Sequence, residues 1–352
     1  MTDKPQPPRR ILSGVQPSGK LHLGNYFGAI QQHIALQDEG ECFYFIADYH
    51  ALTSLKEAEE RDAEDAKRSG RKPRKGAEIL RDNVRDVALD YLALGLDPKR
   101  AVFYRQSDVP EVTELAWVLS TVTGMGLLER AHSYKDKVAK GITPNVGLFT
   151  YPVLMAADIL ICRAQVVPVG KDQVQHLEMA RDMAGYFHQA YGVEVFPLPQ
   201  ERLDVVPVVP GTDGQKMSKS YGNTIDIFAE GKALERSVMG IVTDSTPVEA
   251  PKDPGKCNVL ALYRLFATPE EVADMEAKYR AGGYGYGQAK KELLAKIDAF
   301  FAPARQRRKE LAADPGAVEE VLRQGARRAR AEAQKTMELV RRAVGMAPRP
   351  VG

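Results

Sequence analysis

Short apolar runs alternate with longer helical patterns through the first half of the chain. The runs that predict buried strands are Ile11–Val15, Cys42–Ala47, Ala101–Arg105 and Val166–Val169. A helix is predicted after the first run, from about Gly24 to Gln37. Between the second and third runs, the apolar side chains of Ile79–Leu92 fall on one helical face, and Gly95 ends that helix. Strands that alternate with helices predict a parallel sheet with helices on its faces.

The alternation is interrupted once and then stops. Residues 110–162 have a helical pattern and separate the third strand from the fourth, as an insertion between the halves of a doubly wound sheet would. After Ala229 no strand pattern remains, and helical patterns cover Gln288–Ala312 and Gly316–Val344. We therefore predict an α/β fold: a Rossmann-like doubly wound parallel sheet in residues 1–228 with the helical insertion 110–162, followed by an all-helical domain in residues 229–352.

Residues 56–76 fit neither pattern. This segment has mixed charge and few large apolar side chains, and it ends in Arg-Lys-Pro-Arg-Lys-Gly. A segment of this kind buries little surface. We expect a mobile or only partly helical surface excursion.

Composition excludes several classes of protein. The 352 residues are 44% hydrophobic, no apolar run approaches the roughly 20 residues that span a bilayer, and Met1–Arg10 lacks the apolar centre of a secretory signal. Cys42, Cys162 and Cys257 are isolated, without the spacing of a zinc site, and are expected to be small buried residues. The expectations are a cytoplasmic protein and no membrane partner.

The net charge alone does not indicate a polyanionic partner. It is only +2, but arginine and lysine crowd the C-terminal helical segments. Such charge forms either a solvated helix face or a nucleic-acid surface.

The loop after the first strand nearly matches a phosphate-binding motif. Gly14–Lys20 has the spacing of G-x-x-x-x-G-K, but Leu21 stands where a Ser or Thr hydroxyl would hold magnesium, which disfavours a P-loop NTPase. The next residues, His22–Asn25, spell H-L-G-N at the predicted start of a helix. A helix N-terminus with a glycine and polar neighbours suits a nucleotide, although His22 by itself could be a helix cap.

A second motif lies almost two hundred residues downstream. Lys216–Ser220 spells K-M-S-K-S after a glycine-rich turn. By itself this could be a polar surface loop. After a strand, an H-x-G-N sequence and a helix, it matches the pair of motifs that class I aminoacyl-tRNA synthetases use to bind ATP. In those enzymes the two lysines meet the pyrophosphate as charge builds on it, and each preorganised cation is worth on the order of 10² to 10³ in rate.

Several further motifs resemble bacterial tryptophanyl-tRNA synthetases, in order along nearly the whole chain. They are Gly14–Gly19 with His22–Tyr26, Asp48–Thr53, Leu128–Arg130, Tyr151–Asp158, Val167–Gln173 and Gly282–Gly285. The connection at 56–76 is longer than is usual in that family.

One of these motifs also makes chemical sense unaided. Tyr151, Met155 and Asp158 stand at i, i+4 and i+7 and therefore share one helical face. Indole has a single polar atom, its N–H donor, and a buried carboxylate accepts it well. A lone buried Asp can equally be structural, bonding a backbone amide.

The resemblance implies three sets of site residues. The tryptophan-binding residues are Asp158, Tyr151, Met155, Gln173, Val167, Val169 and His50. The ATP-binding residues are Gln16, Pro17, Ser18, His22, Gly24, Asn25, Gly170, Lys171, Asp172, Val208, Lys216, Met217, Ser218, Lys219 and Ser220. The catalytic residues are Lys216, Lys219, Ser218, Lys137, Gln16 and Asn25.

The resemblance also implies a two-step reaction. Tryptophan and ATP form tryptophanyl-adenylate and pyrophosphate, and the acyl group then passes to tRNA(Trp). The resemblance further implies that Mg²⁺ is carried on the ATP phosphates with no protein-only metal site, that the enzyme is a homodimer, and that the basic C-terminal helices reach the tRNA. The alternatives are a tyrosyl-tRNA synthetase, which would carry a different lysine loop, and a synthetase paralogue with an added tryptophan-sensing or protein-partner role.

Overall fold

A single parallel sheet organises the chain. The computed structural model describes residues 9–131, 134–135, 144–203 and 208–346. The strands are β1 (Arg10–Val15), β2 (Glu41–Ile46), β3 (Ala101–Arg105), β4 (Val166–Pro168) and β5 (Gln200–Arg202). Their order in the sheet is β3-β2-β1-β4-β5, and every pair is parallel. The predicted doubly wound α/β fold is confirmed, with its switch point between β1 and β4.

Helices connect the strands and make up the remainder of the fold. They are α1 (Leu23–Asn25), a π-helical turn (Tyr26–Ile30), α2 (Gln31–Leu36), α3 (Asp48–Ala51), α4 (Leu55–Ser69), α5 (Gly76–Leu94), α6 (Glu111–Ser120), α7 (Met125–Glu129), α8 (Val146–Ile161), α9 (Val174–Tyr191), α10 (Gly231–Met239), α11 (Asn258–Tyr263), α12 (Pro269–Ala281), α13 (Tyr286–Ala313) and α14 (Pro315–Ala343). Within the described ranges, no helix combines the length and the hydropathy needed to cross a bilayer.

Four strands were predicted from the sequence, and the fifth was not. β5 is Gln-Glu-Arg, and it pairs with β4 through Val166↔Gln200 and Pro168↔Arg202. Three polar residues at a sheet edge carry no alternation of apolar and polar positions, so only the pairing with β4 defines this strand.

The last helix, α14, covers the opposite edge of the sheet. Its first turns pack in the core on one face of the sheet, through Val318 and Leu322, and its later turns pack in the core on the other face. At the crossing, a Cβ on Gly325 would lie 1.8 Å from the Phe103 carbonyl oxygen, so only glycine allows the contact. The packing leaves β3 without an open edge. The hydrophobic core on one face of the sheet contains residues from both sides of residue 228, so it marks no boundary there. The separate domain at residues 229–352 stays a prediction.

Polar contacts fix α14 along β3. The Arg105 guanidinium donates to both oxygens of Glu319, at 3.0 and 2.7 Å. The Arg328 guanidinium donates to the carbonyl oxygens of Pro98 and Ala101, at 3.1 and 3.2 Å. Arg328 therefore has a structural role at the strand edge.

Residues 56–76 are partly helical and largely exposed, as one alternative of the sequence prediction stated. The segment forms α4 up to Ser69 and then a turn, residues 70–75, before α5 begins at Gly76, and its mobility stays a prediction. Asp62 within it is only 6% exposed. Its carboxylate accepts from Arg71 at 2.7 and 2.9 Å and from the backbone and side chain of Arg74 at 2.7 to 3.0 Å. We call these three residues the Asp62 clasp; it closes the turn between α4 and α5.

Candidate active site

The loops that follow β1 and β4 leave the sheet at its switch point, where open α/β sheets bind their ligands. The first loop, Gln16–Lys20, is called the phosphate loop below. The second turns through Gly170 into a short 3₁₀ helix, Lys171–Gln173, with the Gln173 N–H bonded to the Gly170 carbonyl at 2.9 Å. Adjacent parallel strands thus bring two of the predicted ATP-binding segments to one edge of the sheet.

The lysine loop, Lys216–Ser220, lies against the start of α1. The Gly24 N–H contacts the sulfur of Met217 at 3.4 Å, and Met217 is only 4% exposed. Just beyond the loop, the Leu23 N–H donates to the Ile225 carbonyl at 3.0 Å. The H-L-G-N and K-M-S-K-S motifs, far apart in sequence, therefore form one site.

His22 is a buried, neutral side chain in this junction. A Cβ on Gly24 would lie 3.0 Å from the His22 ring, so glycine permits the tight approach. Burial lowers the pKa of His22 to about 4, and the positive charge of Lys219 acts in the same direction. The backbone N–H of His22 donates to the Asn25 side-chain oxygen at 3.0 Å. The NH₂ group of Asn25 has no bond to any described residue and remains a donor.

Lys219 joins the two motifs directly. Its ammonium donates to the Ser18 carbonyl at 3.2 Å, the Ser18 hydroxyl at 3.3 Å and the Gly19 carbonyl at 3.0 Å. The Lys219 side chain is exposed overall, and desolvation by the groups around it lowers its pKa to about 8. The second lysine, Lys216, is exposed, and in the part of the chain that the structure describes its ammonium has no ion pair or hydrogen bond.

Asn223 holds the lysine loop in this shape. Its side chain is 3% exposed, and its oxygen accepts from the Ser218 N–H at 2.8 Å. Its NH₂ group donates to Asp213 at 2.7 Å and to the Lys216 carbonyl at 3.2 Å. Ser218 in turn accepts from the Ser220 N–H at 3.3 Å.

The predicted helical face of α8 is present, with Asp158 buried at its inner end. Asp158 is 3% exposed and accepts from His50 Nε2 at 2.8 Å and from Gln106 Nε2 at 2.8 Å. Burial raises the pKa of Asp158, and the hydrogen bond from His50 opposes that rise. Two donors leave the carboxylate with acceptor capacity for a third.

Other predicted pocket residues surround this carboxylate. The Tyr151 hydroxyl, whose pKa burial raises to about 12, lies 2.6 Å from His176 Nε2, and its ring makes an edge contact with His50 at 6.3 Å. The apolar walls Met155, Val167 and Val169 all pack in or against one core cluster.

The remaining predicted residues are Val208, Pro17, Gln16, Lys137 and Asp172. Val208 is 71% exposed, and its neighbour Val209 accepts from the Met217 N–H at 2.9 Å. Pro17 is buried, while Gln16 donates to the Ser54 hydroxyl at 3.2 Å. Lys137 lies outside the described residues, and for Asp172 only the backbone is described.

Two positioning residues were missed from the sequence. Gln106 follows β3 directly, at the carboxyl end of a parallel strand, and that position was the available signal. Asn223 was not among the predicted site residues. Its buried side chain contacts residues five to ten positions away in the same loop. The loop has no periodicity, so no signal in the sequence indicated these contacts.

The geometry is that of a class I aminoacyl-tRNA synthetase: a doubly wound sheet, a histidine–glycine junction and a lysine loop joined over the switch point. The family described as tRNA synthetases class I (W and Y) matches residues 4–302, and this chain belongs to that family. The resemblance inferred from the motifs is confirmed.

Three relatives with high identity to this chain are named as tryptophan enzymes. The tryptophan–tRNA ligase of Rhodopirellula baltica is 54% identical over 338 residues, 96% of this chain and 99% of that protein. The tryptophan–tRNA ligase of Fusobacterium nucleatum is 52% identical over 339 residues, 96% and 98% of the two chains. The tryptophanyl-tRNA synthetase of Campylobacter jejuni, solved with ADP and tryptophan, is 47% identical with a TM-score of 0.87, covering 96% of this chain and all of that one.

Proposed function

We propose that this chain is a tryptophan–tRNA ligase that activates L-tryptophan with MgATP and transfers it to tRNA(Trp). The observation that carries the proposal is the buried Asp158 carboxylate, on one helical face with Tyr151 and Met155, beside a joined pair of class I motifs. Identities of 47 to 54% with tryptophan–tRNA ligases over 96% of the chain support the same activity.

The first step needs no side-chain nucleophile. A carboxylate oxygen of tryptophan attacks the α-phosphorus of ATP, a new P–O bond forms, and the bond to the β-phosphate oxygen breaks to release pyrophosphate. Positioning and charge stabilisation carry such a step. Lys219, already docked on the phosphate loop, and Lys216 are the cations assigned to the leaving pyrophosphate. Asn25 is assigned as a further donor to the phosphates.

The second step transfers the acyl group to a terminal ribose hydroxyl of the tRNA, with AMP as the leaving group. Exposed cations on α14 support a tRNA surface there: Arg323, Arg327, Lys335 and Arg342 are 57 to 74% exposed at the side chain. Arg328 and Arg330 are less available, because the first binds β3 carbonyl oxygens and the second donates to the buried Glu111.

We also propose that the enzyme works as a homodimer in the cytoplasm. Three large apolar side chains are exposed on or near the helical insertion: Trp117 at 69%, Met125 at 62% and Val146 at 77%. Large exposed apolar side chains within one segment are candidates for a protein interface, which buries contiguous apolar surface. The three cysteines are free and buried, which suits a reducing compartment.

Tryptophan-dependent exchange of pyrophosphate into ATP tests the activity. We expect exchange with tryptophan and negligible exchange with tyrosine or phenylalanine, followed by charging of tRNA(Trp). Exchange that depends on tyrosine, or on no amino acid, would overturn the assignment.

A further inference from the structure

The hairpin formed by α4 and α5 is attached to the phosphate loop at two points. Ser54, the residue that precedes α4, accepts a hydrogen bond from Gln16 Nε2 at 3.2 Å. Asn83 on α5 donates to the Pro17 carbonyl at 3.1 Å. The Asp62 clasp closes the far end of the same hairpin. The hairpin is therefore a fixed wall beside the phosphate loop.

Helix geometry places one exposed cation of this wall, Arg61, on the side of α4 that also carries Ser54. Arg61 stands seven residues after Ser54, close to two helical turns, so both lie on one face of α4, roughly 10 Å apart along its axis. Because Ser54 contacts the phosphate loop, Arg61 lies on the same side of α4 as that contact.

Arg61 and Lys219 carry two positive charges that act on each other. After burial, the charge of Arg61 is the next cause that lowers the pKa of Lys219, so the two groups are close enough to repel each other. Arg71 and Arg74, the arginines of the turn between α4 and α5, are bound to Asp62. Arg61 makes no ion pair or hydrogen bond within the described ranges of the chain. An anion bound between Arg61 and Lys219 would relieve their repulsion.

We propose that Arg61 is a further catalytic residue, which binds the β- and γ-phosphates of ATP from α4 and remains on pyrophosphate as it leaves. The proposal rests on the proposed ligase function. A guanidinium is suited to this task, because its planar donors bind two phosphate oxygens at once. Arg61 makes no covalent bond in the reaction; it neutralises charge on the leaving group while Lys219 does so from the phosphate loop.

The test compares Arg61→Ala with Lys67→Ala. Lys67 is an exposed cation on α4, six residues further on, and its side chain points about 120° away from the Arg61 direction. Alanine preserves helix propensity, so both variants should keep α4 folded. Two quantities are measured: equilibrium binding of magnesium pyrophosphate to the enzyme alone, and the KM values for pyrophosphate and tryptophan in the exchange reaction.

We expect Arg61→Ala to raise the Kd and the KM for pyrophosphate on the order of tenfold, without changing the KM for tryptophan. Lys67→Ala should match the wild type, and Arg61→Lys should recover part of the loss. Wild-type values for Arg61→Ala, or an equal loss in Lys67→Ala, would overturn the role of Arg61. Binding of pyrophosphate needs no amino acid, so it tests Arg61 separately from the ligase assignment. Failure of the ligase assignment would instead appear as a wild-type enzyme without tryptophan-dependent exchange.

Discussion

At the scale of single residues, we propose Asp158 as the group on which amino-acid specificity depends. It is buried, and the donors His50 and Gln106 leave it acceptor capacity that an indole N–H can use. Sites that bond a substrate donor reject the analogue without it by about 10⁴ to 10⁵. We therefore expect phenylalanine and benzothienylalanine, which keeps the shape of tryptophan but lacks the N–H, to be nearly excluded in pyrophosphate exchange.

The matching variant is Asp158→Ala. It should reduce tryptophan activation strongly and narrow the gap between tryptophan and benzothienylalanine. It also leaves the buried Gln106 donor without its acceptor, a cost of about 1–3 kcal/mol, and frees the partly exposed His50, so thermal unfolding must be measured alongside. If the wild-type enzyme uses benzothienylalanine nearly as well as tryptophan, Asp158 has only a structural role.

A second prediction at this scale concerns pH. The pKa of Lys219 is lowered to about 8, first by burial and then by Arg61, with Asp226 and Asp90 acting in the opposite direction. A lowered lysine pKa means that the free enzyme loses this charge as pH rises through about 8. Because kcat/KM reports the free enzyme, its value for ATP should fall above that pH.

Lys219→Arg and Lys216→Arg form the control pair for this prediction. Arginine stays charged across the range, so Lys219→Arg should remove the fall or move it to higher pH, whereas Lys216→Arg should retain it. An unchanged pH profile in Lys219→Arg would assign the titration to another group.

At the scale of elements, the α4–α5 hairpin depends on the Asp62 clasp. Hydrogen bonds from Arg71, followed by those from Arg74, hold the pKa of Asp62 well below its usual range. A lowered carboxyl pKa stabilises the fold above the unfolded value near 4, and that stability is lost as pH falls below it. Asp62→Asn should therefore open the turn between α4 and α5 at neutral pH, as acid does in the wild type.

Hydrogen exchange of the amides of residues 71–76 measures this opening, and we expect it to be faster by roughly tenfold in Asp62→Asn. Glu64→Gln is the control, because Glu64 lies on the same helix and its ion pair with Arg68 is exposed on both sides, at 72 and 77%. Equal exchange in the two variants would mean that helix packing, rather than the clasp, orders the turn.

At the same scale, sequence pattern predicted the elements with strong periodicity and missed those without it. The strands β1 to β4 and the C-terminal helices are where apolar spacing placed them, because each buries a regular row of side chains. The polar edge strand β5 and the helix α4 have no such row. A neighbouring strand defines β5, and the Asp62 clasp joins the end of α4 to the start of α5.

At the scale of the whole molecule, the exposed apolar side chains of the helical insertion predict self-association. Trp117 is the only tryptophan of the chain and is 69% exposed. We expect a solution mass near twice the 38.8 kDa of one chain by light scattering. Trp117→Glu should shift it to one chain, since a buried charge at an interface is costly, whereas Trp117→Phe should remain a dimer. A wild type that is monomeric at micromolar concentration would contradict the proposed dimer.

The sequence by itself determined the class of fold, the family and the chemistry expected of the site. Helical and strand periodicities and short motifs are local, so H-L-G-N, K-M-S-K-S and the Tyr151–Asp158 face could be recognised without a structure. The tertiary structure alone decided which groups meet: Gln106 on Asp158, Lys219 on Ser18, and α14 on the edge of β3 at Gly325. The two residues of each contact are between 52 and more than 200 positions apart in the sequence. No local pattern encodes them, because each depends on burial and close approach that only the complete packing produces.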